Sequence, residues 1–258
     1  MATNSLFKIN KSVCENDYTK FARYKSSMNT QEASDIVGGL TATSKMPCPS
    51  ISIPSSACIT GSKLKDVKGS SCEGCYTFEG FYNMPDGIRA RDRRLSKLYD
   101  PRWIEAMVTL IKSRKKYKKE IDVFRWHDSG DIQGIIHLSN IMEVAKLTPK
   151  CKHWLPTREN ALLKAYVESG NVVPKNMYVR VSALMRDGKP PKTFVGKLNK
   201  HKNVEGFIGT STIHHKKEAI GIGCIAYNQD GECRDCRKCW TTEENISYPF
   251  HTKRKALK

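Results

Sequence analysis

Long apolar runs are what this sequence most clearly lacks. Its richest stretch, Ile104 to Ile111, is far short of the roughly 20 residues that span a bilayer, so no membrane role is expected. Residues Met1 to Lys11 hold no apolar core of the length an export signal needs. That leads to the expectation of a cytoplasmic protein in a reducing compartment. The chain has no glycine-rich phosphate loop, no Ser, His and Asp in an order suggesting a nucleophilic triad, no recognisable DNA-reading helix and no tandem repeat. Acidic residues are also scarce: 26 Asp+Glu against 44 Lys+Arg give a net charge of +18. Such a balance favours a polyanionic partner, DNA, RNA or a nucleotide-rich surface, although surface lysine also serves solubility. The 258 residues, with 39% hydrophobic content and mean hydropathy of -0.53, suit one large domain or two small ones with a real core.

Cysteine, by contrast, is abundant and clustered. Of the 10 cysteines, one set is Cys48, Cys58, Cys72 and Cys75, and a second is Cys224, Cys233, Cys236 and Cys239. Each set ends in Cys-x-x-Cys followed by an aromatic residue, Tyr76 or Trp240. Disulfides are rare in a reducing cytosol, so metal ligation is the favoured reading. Four thiolates can close a tetrahedral zinc site or hold an iron–sulfur cluster. The compact run Cys233-x-x-Cys236-x-x-Cys239 favours a 4Fe-4S cluster, with zinc as the alternative metal. Cys14 stands alone.

Along the chain, a helix is expected from Asn16 to Met28. Ser, Pro, Gly and Thr then dominate from Leu40 to Ser71, which is loop chemistry, with Pro47, Pro49 and Pro54 opposing helix. Helix is expected from Asp86 to Tyr99 and, after the Asp100-Pro101 start signal, from Arg102 to about Lys116. The basic run there, Arg114, Lys115, Lys116, Lys118 and Lys119 around Tyr117, is either a solvated helix end or a nucleic-acid contact. A strand pattern at Ile121–Trp126 leads into His127-Asp128-Ser129-Gly130-Asp131. Helix 135–147, a strand at His153–Leu155, Thr157-Arg158, helix 159–169 and a strand at Met177–Ala183 follow. Residues Thr193 to Lys202 read as loop, and Val204–Ile208 and Ala219–Ala226 as the last strands. Alternation of this kind implies parallel strands with helical crossovers, whose carboxyl ends collect functional groups. His127 to Asp131 sit at one such end and Arg158 at the next. His153 and Trp154 read as packing, and His214-His215 as basic surface.

Cys58, Cys72 and Cys75-Tyr76, the strand end His127-x-Ser129-Gly130-Asp131, the strand into Thr157-Arg158 and the closing Cys233-x-x-Cys236-x-x-Cys239-Trp240 together resemble the phage gene product 88 family. They also resemble related phage proteins with a radical S-adenosylmethionine-like core. The resemblance spans roughly residues 40 to 240. It implies an α/β fold, a partial (β/α)6 barrel of radical-SAM-like type, with a cysteine-rich metal-binding loop and a C-terminal cysteine-rich segment. The corresponding organisation is an N-terminal extension at 1–39, the partial barrel at 40–220 with the first metal loop at 48–75, and a cysteine-rich segment with a basic tail at 221–258. In radical enzymes three close cysteines hold the cluster and the open iron binds S-adenosylmethionine. Here Cys58 lies thirteen intervening residues from Cys72, where those enzymes usually have three, and Cys48 is available as a fourth ligand, which would close the open iron.

On this basis His127 and Asp131 are the candidate catalytic residues, and Ser129, Gly130, Arg158 and Tyr76 the candidate ligand-binding residues. The eight clustered cysteines are the candidate metal ligands. The expected cofactors are one or two 4Fe-4S clusters with S-adenosylmethionine, and the expected partners a nucleotide or nucleic acid and a redox partner. An enzyme acting on nucleotides or nucleic acid, a non-catalytic metal-stabilised binding protein and an electron-transfer protein all remain open at this point.

Overall fold

The computed structural model describes residues 28–250 apart from Ser44, Glu79, Arg114, Tyr117, Lys118 and Ile121; for Gly80, Phe81, Lys115, Lys116, Lys119 and Glu120 it describes the backbone alone. The expected helix at Asn16–Met28, Cys14 and the basic tail at Lys253–Lys255 lie outside those residues, Met28 excepted.

Nine strands and seven α-helices are described. Helix α1 (Thr30–Val37) is capped by the Asn29 side chain, which accepts from Glu32 N, and stops at Gly38 in the left-handed region at φ 84°. Strand β1 (Ser50–Ile51) and the short helix α2 (Ile59–Leu64) break up the Ser- and Pro-rich segment. Helices α3 (Pro85–Ser96) and α4 (Trp103–Lys112) follow. The alternating core then runs β4 (Val123–Trp126), α5 (Ile135–Leu147), β5 (Lys152–Thr157), α6 (Asn160–Glu168), β6 (Met177–Ser182), α7 (Lys192–Leu198) and β7 (Phe207–His214). Strands β8 (Ile222–Gly223) and β9 (Ile246–Pro249) complete it. Between α4 and β4, β2 (Lys115–Lys116) and β3 (Lys119–Glu120) pair antiparallel as a separate hairpin.

The main sheet has seven strands in the order β1-β4-β5-β6-β7-β9-β8, and every pairing in it is parallel. The parallel α/β core expected from the alternation is therefore present, with β1 and β8 at the two edges. Four details differ from expectation. Residues Lys192–Leu198 form a helix, because Val195 and Leu198 bury an apolar stripe that the flanking lysines obscure. The last long strand starts at Phe207 and continues to His214. Strand β9 lies in a segment that composition marks as polar tail: Ser247 is buried because Thr212 Oγ1 and His214 Nδ1 bond its hydroxyl at 3.0 and 2.8 Å. The basic run also departs from a helix end, since α4 stops at Lys112 and the hairpin follows.

The period-two alternation of the strands gives the sheet two unlike faces. On β4, Phe124 and Trp126 join the large helix-covered core with Trp103, Leu138 and Ile141. Val123 points the other way, into a small core with Cys48, Trp154 and Trp240, against which Met46, Cys239 and Tyr248 pack. Trp240 is fixed there by an indole N–H bond of 2.8 Å to Phe124 O, so the C-terminal cysteine-rich segment covers the second face. His153 is fully buried between Trp126 Nε1 at 3.2 Å and Thr148 Oγ1 at 2.8 Å, the packing role expected of it.

Asn176 anchors the entry to β6. Its amide donates to the carbonyls of Ala145, Thr148 and Cys151 at 2.9, 3.1 and 2.7 Å, collecting the end of α5 and the turn before β5. Replacing it with alanine leaves these acceptors short of a donor, so Asn176→Ala is expected to lower stability by about 1–3 kcal/mol, read as a reduced urea midpoint at unchanged slope.

Candidate functional site

The cysteine-rich loop folds over the carboxyl ends of β4 and β5, and backbone geometry explains why. Gly130, at φ 81°, lets the chain turn after β4 and pass so close to Ile53 that a Cβ there would fall 2.2 Å from Ile53 Cγ1. Ile53 N donates to Ser129 O at 3.0 Å, and Ser129 Oγ donates to Ile53 O at 3.0 Å. Ser129 Oγ also lies 3.0 Å from Ser55 Oγ, which bonds Thr77 Oγ1, itself 3.0 Å from Cys75 Sγ. One hydroxyl chain thus runs from the β4 turn to a cysteine.

Two carboxylates complete the attachment. Asp131 Oδ1 accepts from Thr157 Oγ1 at 2.7 Å and from Ile132 N at 2.8 Å, while Oδ2 accepts from Arg158 N at 2.8 Å. Glu159, buried at the start of α6, accepts from both Thr60 N and Thr60 Oγ1 at 2.8 Å and so holds α2. Arg158 Nε donates to Ser71 Oγ at 2.8 Å.

Cys58, Cys72 and Cys75 come together here. The sulfurs of Cys58 and Cys72 both lie 3.6 Å from the position a Cβ would take on Gly61, so glycine there leaves the space between them open. Burial, then the charges of Asp131, Cys72 and Cys75, push the Cys58 thiol up to about 12, while Arg158 pulls it down. The Cys72 thiol is raised by burial and lowered by Arg158. Three thiols, one guanidinium and one carboxylate therefore share a site at the ends of two adjacent parallel strands.

Cys48 is elsewhere. The expected four-thiol first set is not what the structure gathers: Cys48 is buried in the small core beside Trp240, and burial pushes its thiol up to about 12, opposed by Arg125 and reinforced by Cys233. Cys224, Cys233 and Cys236 interact with one another, and Cys239 with Cys224 and Cys233. Two thiol groups result, of three and five members. Among the described residues no three His, Cys, Asp or Glu side chains converge tightly enough to hold a single metal ion.

The other candidates take several places. His127 adopts φ 53° and buries its ring in the helix-side core, 5.3 Å from the His137 ring and 6.4 Å from that of Trp126, with neither nitrogen hydrogen-bonded. Burial, and then His137, lower its pKa well below the ordinary value, so it is neutral. Ser129 and Gly130 serve the loop attachment. Tyr76 is half exposed, but its hydroxyl donates to Asp128 O at 2.7 Å. Arg114 and Lys118 lie outside the described residues, and Lys115, Lys116 and Lys119 fall in the hairpin. Sequence reading missed Glu159, Thr77 and Arg125. The last had a signal: a charged residue in a strand of apolar neighbours, Val123-Phe124-Arg125-Trp126, whose burial demands an explanation.

Asp131 carries a pH dependence. Burial raises its pKa from 3.8 to about 6, outweighing the three donors. The folded value lies above the unfolded one, so this group's contribution is fully present below 3.8 and is lost as pH rises through about 6, by roughly 3 kcal/mol. Asp131→Asn cannot titrate. The stability advantage of the native chain over this variant is therefore expected to shrink by that amount between pH 4 and pH 7 in urea unfolding; an advantage that grows would show that the donors prevail over burial.

No helix among the described residues is long and apolar enough to cross a membrane. No curated protein and no solved structure matches the chain. A family model, Gene product 88, matches residues 13–242, a span that takes in both thiol groups and six of the seven strands of the parallel sheet, and the chain belongs to that family.

Proposed function

We propose that the chain is a metal–thiolate enzyme of radical S-adenosylmethionine-like type, with an iron–sulfur cluster on Cys58, Cys72 and Cys75 and a sheet curved as a partial barrel. The observation that carries this reading is the meeting of three thiols with Asp131 and Arg158 at the carboxyl ends of β4 and β5. Ligands of parallel α/β sheets bind at these ends. Three cysteines fit a cubane cluster with one iron left for another ligand. When bound, such a cluster would supply an electron and a position for the amino and carboxylate groups of S-adenosylmethionine.

The chain's own groups have defined tasks in that site. Arg158 offsets the negative charge that the thiols gain on losing their protons. Asp131 is ionised above about pH 6, but three donors already occupy its oxygens, so it positions Arg158 and the β5 end and moves no proton. His127, neutral and enclosed, orders the core behind the turn. Tyr76 and Phe78, which closely follow Cys75 and are exposed, offer aromatic surface beside the thiols, and with a net charge of +18 they favour a nucleotide or nucleic acid as substrate. The phage host's cytoplasm supplies the reducing surroundings that free thiols require.

A second reading has a specific observation behind it. The second thiol group joins remote segments, since Cys233 N donates to Lys45 O at 2.9 Å. A clasp of this kind suits a non-catalytic, basic binding protein in which a structural zinc, on binding, would have to draw these thiols closer than they stand.

Iron and acid-labile sulfide on protein purified without oxygen discriminate the two. Near-equal amounts of both, with a cluster signal that changes on adding S-adenosylmethionine and is lost in Cys58→Ala, are the expected result. Zinc without sulfide would leave only the binding protein. Because burial holds the Cys58 thiol at about 12, metal entry must expel protons. Metal loading is accordingly expected to weaken as pH falls from 8 to 6, by more than tenfold in a chelator competition.

A further inference from the structure

We propose that Cys48 is a ligand of the second centre and that Arg125 and Arg180, on the covered face of the sheet, are its fixed counter-cations. The inference rests on the reading above that the thiols bind metal.

The sequence order conceals the arrangement. Cys48 lies in the loop before β1 and the other four cysteines follow β8, yet the bond from Cys233 N to Lys45 O places those two segments side by side. Thr43 Oγ1 donates to Cys48 O at 2.9 Å and fixes the loop. Cys48 is 4% exposed and shares the small core with Trp240, the residue immediately after Cys239. Cys236 N donates to Cys233 O at 2.9 Å in a tight turn, and Cys239 Sγ lies 3.3 Å from the Tyr248 hydroxyl. These contacts put sulfur from both chain ends in one small core.

Two guanidiniums enter the same space from the sheet. Arg125 lies 4.6 Å over the Trp154 ring, with Nη1 3.1 Å from Met46 Sδ and Nε without a partner. Arg180 is fully buried. It donates to the carbonyls of Glu244 at 2.7 Å and of Thr242, and its Nε also has no partner. Among the described residues neither forms an ion pair with a carboxylate. Asp128 is the carboxylate whose charge Arg125 feels, and its oxygens are bonded by Ser50 and Tyr82. The surroundings, Asp128 among them, favour the charge of Arg125, whereas burial disfavours that of Arg180, and a buried cation without an anion is unfavourable. Neutral thiols do not supply that anion, whereas metal-bound thiolates would: Cys48 and Cys239 share the small core with Trp154, the ring under Arg125, and Arg180 bonds the carbonyls of Thr242 and Glu244 just after Cys239. A soft thiolate–metal group is therefore the ligand that completes this face.

The test uses the full chain purified without oxygen, with metal content, sulfide content and the S-adenosylmethionine-responsive signal read separately. Cys48→Ala is expected to lose one centre's share of metal while keeping the responsive signal, which also shows that the variant is folded. Cys58→Ala is expected to do the converse. In chelator competition Arg125→Met is expected to release the second centre's metal at a chelator concentration at least tenfold lower, and Arg125→Lys, which keeps the charge, to restore most of the difference. Loss of the responsive signal in Cys48→Ala, or retention of both centres in full, overturns the assignment of Cys48. Equal release by Arg125→Met and the native chain overturns the counter-cation role. Native protein free of metal would overturn the underlying reading instead, and is seen before any variant is made.

Discussion

The Asp131 carboxylate is the joint on which the arrangement depends. Parallel strands carry no hairpin to align their ends, so β4 and β5 meet only through ladder bonds and whatever bridges their exits. Asp131 follows β4 and accepts from Thr157 and Arg158 at the exit of β5. Arg158, oriented by its own backbone N–H, then reaches Ser71 beside Cys72, and Glu159 holds Thr60 two residues after Cys58. Three consecutive residues, Thr157, Arg158 and Glu159, thus translate the register of the sheet into the position of the cysteine loop. A long loop poor in secondary structure gains a defined shape from a few charge-assisted bonds.

The phase of one strand decides how the rest is divided. On β4 the alternation sends Phe124 and Trp126 to the helix-covered core and Val123 to the small core. Slipping β4 by one residue would bury Arg125 among Trp103 and Leu138 and expose Trp126 to the thiols, so the register is strongly specified. The five-thiol segment packs on a face whose polar members are guanidiniums, hydroxyls and a tyrosine, and the helices take the face that is almost wholly apolar.

Much of this was legible in the sequence. The alternating β4 to β6 core followed from apolar periodicity and from caps such as Gly170, and spacing pointed to the clustering of the cysteines but not to the membership of each group. Short elements governed by tertiary contacts were less visible. Strand β9 reads as polar tail because its buried hydroxyls are satisfied by β7 neighbours no local pattern records, and α7 reads as loop because lysines surround its two buried apolar residues. Cys48 was grouped with its sequence neighbours, as spacing alone requires. Its actual company depends on the bond from Cys233 N to Lys45 O, and separation along the chain carries no information about such a contact. His127 is a related case: a histidine at a strand end reads as chemistry, and the structure shows in addition that its φ of 53° turns the ring into the core beside His137.

That turn concentrates unfavourable terms in five residues. A non-glycine residue in the left-handed region costs about 1–3 kcal/mol, and a buried imidazole with neither nitrogen bonded adds desolvation of similar size, about 1–3 kcal/mol. Gly130 adds a conformation that other residues resist, and Asp131 a buried carboxylate. A turn chosen for stability alone would avoid all four. It persists because its neighbours over-determine it: Ile53 bonds Ser129 from both directions, Ser50 and Tyr82 bond Asp128, and Thr157 and Arg158 bond Asp131. Every one of those partners belongs to the cysteine loop, the segment next to it or the adjacent strand end. The strain is therefore spent on fixing one thing, the position of Cys58, Cys72 and Cys75 relative to Asp131 and Arg158. A purely structural clasp tolerates looser placement than that, since metal ligation itself draws thiols together. Rigid placement before any ligand arrives is what a site needs when its neighbours must meet a substrate in a set geometry.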